Sequence, residues 1–303
     1  MSIFSKAVVA LTEAGPVERT ITRTRPGKAV AHRFVAGDTL DEAVSVAKKL
    51  NGEGLVVSLD FLGEEVSDQS SAVQARDEYL EGLERIGSEE LEANISVKLT
   101  QLGLAIDEGL AFELLDSLAE GAHQVSTTVT IDMEDSRYTD ATVRIYEKAQ
   151  THHGNLGVAL QAYLHRTPAD LERLLPLGGH IRLCKGAYVE EPEVAVSSKS
   201  AVDTAYAAQL RVLMGAETVR PAIATHDLDL VELTRELARD REEPFEFQML
   251  YGVRSALQRR LVADGFTLRV YLPFGSQWYP YLTRRLAERP ANAWFFVRSL
   301  FGS

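Results

Sequence analysis

Short apolar runs that are rich in β-branched residues recur eight times along the chain, with polar stretches between them. They begin near Leu55, Ile95, Thr128, Gly157, His180, Ala222, Phe245 and Thr267. Successive starts are 22 to 42 residues apart, which is the size of one strand-plus-helix unit. Between the runs, spacings such as Leu110, Leu114 and Leu118 predict amphipathic helices.

Strands that alternate with helices predict a parallel sheet, because each parallel strand needs a crossover connection. Eight units with no strand left over favour a closed (β/α)8 barrel, the TIM barrel fold. An open doubly wound sheet is the alternative. It is less favoured because no Gly-x-Gly-x-x-Gly sequence follows the first predicted strand.

The two ends of the chain depart from this period. Residues 1–50 include a helix that Thr39 can cap, and we expect an N-terminal helical arm. Residues 51–303 would form the barrel domain together with a C-terminal helix. After the eighth strand we predict a helix over 281–289, a break at Pro290 and a final aromatic helix over 294–301.

Composition narrows the class of protein. The 303 residues carry a formal net charge of −12, which disfavours non-specific nucleic-acid binding. The single cysteine, Cys184, cannot form an internal disulfide. No apolar run is long enough for a spanning helix, and the N-terminal apolar segment is too short for a signal peptide. We therefore expect a soluble cytoplasmic protein.

The barrel prediction places the active site at the carboxyl ends of the strands. Polar residues at the predicted strand ends are Asp60, Lys98, Asp132, Glu134, Asp135, Gln161, Arg182, Lys185, His226, Gln248 and Tyr271. We expect these side chains to gather around one cavity.

Lys98 lies within an apolar run, where a lysine is seldom buried without a partner. Three hypotheses stay open: an anchor for a substrate carboxylate, a Schiff-base nucleophile of the aldolase type, or a structural ion pair with Asp132. The acidic sequence from Asp132 to Asp135 could instead hold Mg²⁺, but no phosphate-binding or second carboxylate motif supports a metal.

Two cations at one strand end, Arg182 and Lys185, could stabilise anionic charge on a cofactor. Cys184 between them is interpreted as a packing residue. His226 ends a strand, and both a functional role and a hydrogen-bonded core role stay open for it. The adjacent pair His152 and His153 is interpreted as surface, at a helix C-terminus.

The helix after the eighth strand carries adjacent arginines, Arg284 and Arg285, and Glu288 can pair with either of them. Such a charge run is usually a solvated helix face. Because this helix follows the last strand, its N-terminal part can instead overhang the barrel mouth, where paired arginines would bind a substrate carboxylate.

Taken in order, these segments resemble the proline dehydrogenase family. The matching sequences are SVKLTQLGL, IDMEDS, LQAYLHR, IRLCKGAY, ATHD, EFQMLYG, RVYLPFG and YLTRRLAE. The resemblance implies a distorted (β/α)8 barrel with FAD as cofactor. It also implies the oxidation of L-proline to Δ¹-pyrroline-5-carboxylate, the first step of proline catabolism to glutamate, in a monofunctional bacterial-type enzyme similar to one part of proline utilisation A.

The resemblance also implies roles for individual residues. The catalytic set would be Lys98, Asp132, Arg182, Tyr271, Arg284 and Arg285. Asp132 would pair with Lys98, the two arginines would join Lys98 in binding the proline carboxylate, and Glu288 would brace an arginine. The proline ring would contact Tyr188, Leu250 and Tyr271. Flavin contacts would come from Asp132, Gln161, Arg182, Lys185, Gly186, Ala187, Tyr188, Thr225, His226 and Gln248.

Two positions depart from the family pattern. Val189 stands where some members carry an aromatic residue, and Asp227 replaces the Asn that follows the histidine in many members.

An amine oxidation needs an acceptor of two electrons, and no side chain supplies one, so a cofactor must. The resemblance implies that electrons pass to a membrane quinone rather than to NAD⁺, and that a separate pyrroline-5-carboxylate dehydrogenase acts downstream. Membrane contact would be peripheral. The aromatic segment Trp294, Phe295, Phe296, Leu300 and Phe301 could touch lipid or cover the flavin, although packing on the barrel is favoured.

Two other classes of function remain as alternatives. A class I aldolase barrel would use Lys98 or Lys185 as an imine-forming nucleophile. A non-catalytic barrel would bind proline without oxidising it.

Overall fold

The structure, a computed structural model, describes residues 31–63 and 65–288, with side chains through Thr283. Eight parallel strands close into a barrel in chain order. The strands are β1 Val56–Phe61, β2 Ala93–Val97, β3 Val129–Ile131, β4 Leu156–Gln161, β5 His180–Cys184, β6 Arg220–Ala224, β7 Glu246–Leu250 and β8 Leu268–Phe274. The helices are α1 Leu40–Gly52, α2 Gln69–Ser88, α3 Glu108–Gln124, α4 Ser136–His153, α5 Thr167–Leu174, α6 Lys199–Gly215, α7 Leu228–Leu237, α8 Ser255–Ala263 and α9 Tyr279–Glu288.

The barrel confirms the fold expected from the sequence. Every strand begins within two residues of its predicted start. The open-sheet alternative is wrong, because β1 pairs with β2 on one side and with β8 on the other. In that closing register, Ser58 lies beside Tyr271.

Helix α1 fills the place that the eighth helix has in a regular barrel. Thr39 caps its first turn, and Glu42 completes a capping box. Its apolar stripe, which includes Ala43 and Val44, is buried in the main core, and the helix packs against β1 and β8. A helix that precedes the first strand therefore covers the seam where the barrel closes.

Helix α9 starts above the carboxyl ends of the strands instead. Its first residues pack with Phe34 and with Leu62, which directly follows β1. The indole of Trp278 donates a hydrogen bond to Asp38 at 3.1 Å. The displaced α9 and the substituted α1 together distort the regular barrel.

Several predictions about the termini lie outside the described residues. These are the arm before residue 31, the break at Pro290 and the aromatic segment over 294–301. Within the described ranges, no helix is both long enough and apolar enough to cross a membrane.

Candidate active site

The inside of the barrel is lined by polar side chains in two layers. Alternate residues of a strand face opposite sides of the sheet, so Ile181 and Leu183 of β5 pack outward among apolar neighbours while Arg182 points inward. Hydrogen bonds between strands that are not neighbours, such as Arg182 to Ser96, cross this interior. The upper layer, nearer the carboxyl ends, holds four of the residues that the sequence predicts as catalytic: Lys98, Asp132, Arg182 and Tyr271.

Lys98, just beyond β2, is held between two carboxylates. Its Nζ donates a hydrogen bond to Asp60 Oδ1 at 2.7 Å and lies 3.8 Å from Asp132 Oδ2. Only 14% of the lysine side chain is exposed. Burial disfavours the charged amine, but the negative charges of Asp60 and Asp132 outweigh burial and raise the pKa of Lys98 above its usual value. Lys98 therefore stays protonated, and its direct partner is Asp60 rather than the expected Asp132.

Asp132 is the hub of the upper layer. Its Oδ1 accepts hydrogen bonds from Ser96, at 2.7 Å, and from Arg182, while Oδ2 accepts from the hydroxyl of Tyr271 at 2.6 Å. Burial by itself would raise the pKa of Asp132, yet the charges of Arg182 and Lys98 hold that pKa below its usual range. Asp132 is therefore a carboxylate that fixes the positions of its neighbours.

Arg182 is almost fully enclosed and is held from two sides. Its Nε donates to Gln248 Oε1 at 2.5 Å, and its guanidinium carbon lies 5.3 Å from the centre of the Tyr271 ring. The remaining nitrogen, Nη2, is buried without a hydrogen-bond partner among the described residues. A buried donor left open is costly unless a bound group accepts from it. Burial and the nearby Asp132 charge raise the pKa of Tyr271 well above its usual value, so Tyr271 stays a neutral donor.

Gln161 at the end of β4 joins two loops of the barrel mouth. Its amide donates to the backbone oxygen of Glu134 at 2.8 Å and accepts from the backbone N–H of Ala187 at 3.3 Å. The Glu134 side chain turns away to the loop after β2, where it accepts from the backbone of Thr100 at 3.0 Å. Burial raises the pKa of Glu134. Glu134 therefore ties the loop after β3 to the loop after β2.

Lys185 lies in a cluster of ion pairs at the start of the loop after β5. Its Nζ contacts Asp203 of α6 and lies 2.7 Å from Asp227 Oδ2. The hydrogen bond and charge of Lys185 lower the pKa of Asp227. Asp227, which departs from the family pattern, thus pairs directly with Lys185, one of the predicted cofactor contacts.

The loop after Lys185 has a backbone shape that requires glycine. Gly186 has φ +120°, and a Cβ there would overlap the ring of Tyr163. Farther along, Glu190 accepts from the backbone N–H of Ser136 at 2.8 Å and so fastens the loop to the start of α4. Tyr188 is half-buried in this loop, whereas Val189 is exposed.

Two more predicted contacts lie at the ends of β6 and β7. Thr225 is buried and its hydroxyl accepts from the backbone N–H of Asp227 at 3.1 Å. His226 Nε2 accepts from the backbone N–H of Leu250 at 3.1 Å. The histidine thereby holds the half-buried Leu250 at the mouth of the barrel.

Two further residues near the strand ends, the candidate Asp135 and the expected packing residue Cys184, have structural roles. Asp135 caps helix α4 and pairs with Arg137. Cys184 donates to the backbone oxygen of Leu160 at 3.3 Å, and burial raises the pKa of its thiol to about 12. A thiol with so high a pKa is a poor nucleophile at neutral pH, in keeping with packing.

The interpretation of His152 and His153 as surface residues is half wrong. His152 is exposed, but only 10% of the His153 side chain is, and its Nε2 lies 2.8 Å from Asp116 Oδ1. One ligand atom from each of Asp116, His152 and His153 lies within 4.8 Å of the other two, a spacing that would allow a metal ion. The direct contact between His153 and Asp116 joins α4 to α3.

The side chains of Arg284, Arg285 and Glu288 lie outside the described residues, so their predicted roles remain predictions. Sequence analysis also missed participants. Ser96 was not singled out, and neither was the lower layer of the barrel, which includes Asn94, Thr130, Glu246 and Arg269. The period-two placement of these polar residues within otherwise apolar strands was the available signal.

The described residues fit the flavin that the resemblance implies. The buried Nη2 of Arg182 has no acceptor in the described part of the chain, and an anionic or carbonyl group of a cofactor would supply one. Glycine at 186 lets the loop that carries Ala187 and Tyr188 pack against the ring of Tyr163, where a Cβ would overlap. Neutral amides at Gln161 and Gln248 and the cation Lys185 add polar contacts of the kind that position a cofactor.

Comparison with known proteins identifies the relatives of this arrangement. The family model described as proline dehydrogenase matches residues 43–298. Proline dehydrogenase 1 of Bacillus subtilis strain 168 is 39% identical over 275 residues, which cover 89% of this chain and 90% of that protein. Proline dehydrogenase of Deinococcus radiodurans is 32% identical over 306 residues, covering 98% of each.

A solved structure supports the fold independently. The crystal structure of proline utilization A from Bdellovibrio bacteriovorus, inactivated by N-propargylglycine, superposes with a TM-score of 0.83 at 22% identity. The match covers 94% of this chain and 36% of that one. The shared architecture is the closed barrel.

Proposed function

The chain belongs to the proline dehydrogenase family and is an enzyme of proline catabolism, and on that premise we propose that it oxidises L-proline to Δ¹-pyrroline-5-carboxylate with bound FAD. The observation that carries the proposal is the site around Arg182. Its guanidinium is fixed by Asp132, Ser96 and Gln248, while one buried nitrogen remains open to a cofactor.

The reaction removes a hydride from the ring carbon next to nitrogen and a proton from the nitrogen, which leaves the imine. Bound FAD supplies the acceptor for the hydride. Every other contribution comes from the chain. Arg182 holds a positive charge where negative charge would grow on the cofactor, and such preorganised charges are a large source of catalysis.

The charged groups of the upper layer prepare the substrate side. Lys98 stays protonated between Asp60 and Asp132, so it can attract the proline carboxylate together with Arg284 and Arg285. The Asp132 carboxylate and the Tyr271 hydroxyl are held 2.6 Å apart and form a rigid polar wall. Tyr188, Leu250 and the Tyr271 ring would contact the apolar part of proline. Holding the reacting carbon in one place is the main contribution of such a site.

The aldolase alternative is not favoured. An imine-forming lysine must be neutral to attack a carbonyl. The carboxylates on both sides of Lys98 raise its pKa, and Lys185 is likewise ion-paired with two carboxylates. Neither lysine is prepared as a nucleophile.

Absorbance spectroscopy tests the proposal. The purified protein should carry flavin absorbance, and L-proline should bleach it under anaerobic conditions, whereas D-proline should not. Bleaching also separates an enzyme from a barrel that only binds proline. A protein that stays colourless after FAD is added would refute the proposal.

We further propose that a membrane quinone is the final acceptor and that a separate dehydrogenase consumes the product. A quinone takes up two electrons and two protons, which balances those that proline loses. Contact with the membrane would be peripheral and weak, because the net charge of −12 gives no attraction to anionic lipid. Assays with a soluble quinone and with NAD⁺, and liposome flotation, decide the point. Turnover with NAD⁺ but not with quinone would refute quinone as the electron acceptor and would leave the proposed oxidation of proline intact.

A further inference from the structure

In the lower layer, the barrel encloses an ion pair that the reaction outlined above does not use. Glu246 on β7 and Arg269 on β8 form a bidentate contact, with Arg269 Nε to Glu246 Oε1 at 2.7 Å and Arg269 Nη2 to Glu246 Oε2 at 3.1 Å. Arg269 also donates to the backbone oxygen of Val57 at 2.8 Å and to Asn94 Oδ1 at 3.2 Å. Less than a fifth of either charged side chain is exposed.

The side-chain amide of Gln248 connects this ion pair to the upper layer. Glu246 and Gln248 are two residues apart on β7, so both side chains face the interior. Gln248 Nε2 donates to Glu246 Oε1 at 2.6 Å, and Gln248 Oε1 accepts from Arg182 Nε at 2.5 Å. A continuous path therefore runs from Arg269 through Glu246 and Gln248 to Arg182.

The order of groups along this path fixes which way the amide points. A carboxylate can only accept hydrogen bonds, and an arginine can only donate them. Gln248 must therefore turn its NH2 group toward Glu246 and its oxygen toward Arg182. Burial would raise the pKa of Glu246, but the charge and hydrogen bonds of Arg269 outweigh burial and keep that pKa below its usual value. Glu246 thus remains an acceptor at neutral pH.

We propose that Glu246 is a positioning residue for the flavin chemistry: it locks the Gln248 amide and thereby holds Arg182 in place beside the cofactor. The inference rests on the proposed function. Without a carboxylate at 246, the amide can turn and present hydrogen atoms to Arg182. The arginine would then lose one of its fixed partners, although Asp132 and Ser96 would still contact it.

The variant Glu246→Leu tests this inference, because a leucine side chain can neither accept a hydrogen bond from Gln248 nor donate one to it. With FAD bound, the flavin should be harder to reduce, with a tenfold shift in the reduced-to-oxidised ratio, which corresponds to about 30 mV for a two-electron couple. The value of kcat should fall at least tenfold, whereas the proline KM should change less than twofold, because no hydrogen bond in the described part of the chain links Glu246 to Lys98.

A second variant guards against misfolding, since Glu246→Leu leaves the buried charge of Arg269 unpaired. In Glu246→Leu/Arg269→Leu no buried charge is stranded, so folding should recover while the flavin shift persists. The matched control is Thr130→Val, which removes hydrogen bonds to Asn94 and His180 in the same layer without touching Gln248. It should lower the melting temperature and leave the flavin equilibrium unchanged.

The outcomes separate the two proposals. A flavin shift in both Glu246 variants but not in Thr130→Val supports the positioning role. Wild-type behaviour of the flavin in the Glu246 variants, or an equal shift in Thr130→Val, overturns it. Wild-type protein that does not bind FAD overturns the proposed function itself, and this inference with it.

Discussion

The pH dependence of folding should depend strongly on one histidine in the lower layer of the barrel. His180 opens β5, and its Nε2 lies 2.5 Å from the hydroxyl of Thr130. Burial lowers the pKa of His180 to about 3. The ring is therefore neutral in the folded protein at any pH near neutrality. The substitution His180→Gln keeps a hydrogen-bonding side chain but removes the titrating group.

The size of the effect follows from the difference between the two states. In the unfolded chain, histidine has a pKa of about 6.5 and takes up a proton below that pH. Between pH 6.5 and 3 the unfolded state binds the proton and the folded state does not, so the free energy of unfolding falls as the pH falls. Each pH unit in that window is worth up to about 1.4 kcal/mol, so two units give about 2.7 kcal/mol.

Urea unfolding followed by circular dichroism measures this directly. The free energy of unfolding should be determined for wild type and His180→Gln at pH 7.5 and 4.5, with the same FAD concentration throughout. Carboxylates that do not interact with residue 180 titrate alike in both proteins and cancel in the comparison. Wild type should lose about 2–3 kcal/mol more than the variant between the two pH values. Equal losses would show that His180 is not held neutral, and the burial argument would be wrong.

Three further predictions concern the site. Tyr271→Phe removes the hydroxyl bonded to the charged Asp132, so thermal unfolding should report a loss of about 1.5–3 kcal/mol, and an unchanged melting temperature would contradict the assigned hydrogen bond. Arg284→Met and Arg285→Met should each raise the proline KM with the flavin spectrum intact, because each removes a binding energy of order 2–5 kcal/mol. Normal kinetics in both variants would place the two arginines on a solvated face of this helix. Gly186→Ala should lower the FAD content per chain, since a Cβ at 186 would overlap the Tyr163 ring. Full FAD content in this variant would show that cofactor binding does not require glycine at this position.

Much of the fold could be predicted from the order of the residues. Apolar runs at βα spacing predict eight strands, and Thr39 marks the start of α1. These signals are local, because side-chain periodicity and capping depend on neighbours within a few positions. The position of α1 over the β1–β8 seam was not predicted, since it depends on where the barrel closes.

The types of residue at the site could be predicted as well, but their partners could not. Charged residues at strand ends identified Lys98, Asp132 and Arg182, because the carboxyl ends of parallel strands meet in a barrel. The sequence expectation paired Lys98 with Asp132. The structure brings Asp60 closer, at 2.7 Å against 3.8 Å.

The sequence by itself therefore determined the strand count, the layer of charge at the strand ends and the resemblance to one family. Only the tertiary structure decided which charges meet. Asp132 and Tyr271 are 139 positions apart in the chain, yet their side chains share a hydrogen bond. Such contacts depend on the register of β1 with β8 and on inward-facing residues that meet across the closed barrel. A one-residue slip would turn each inward side chain outward, so the network exists only once all eight strands are paired.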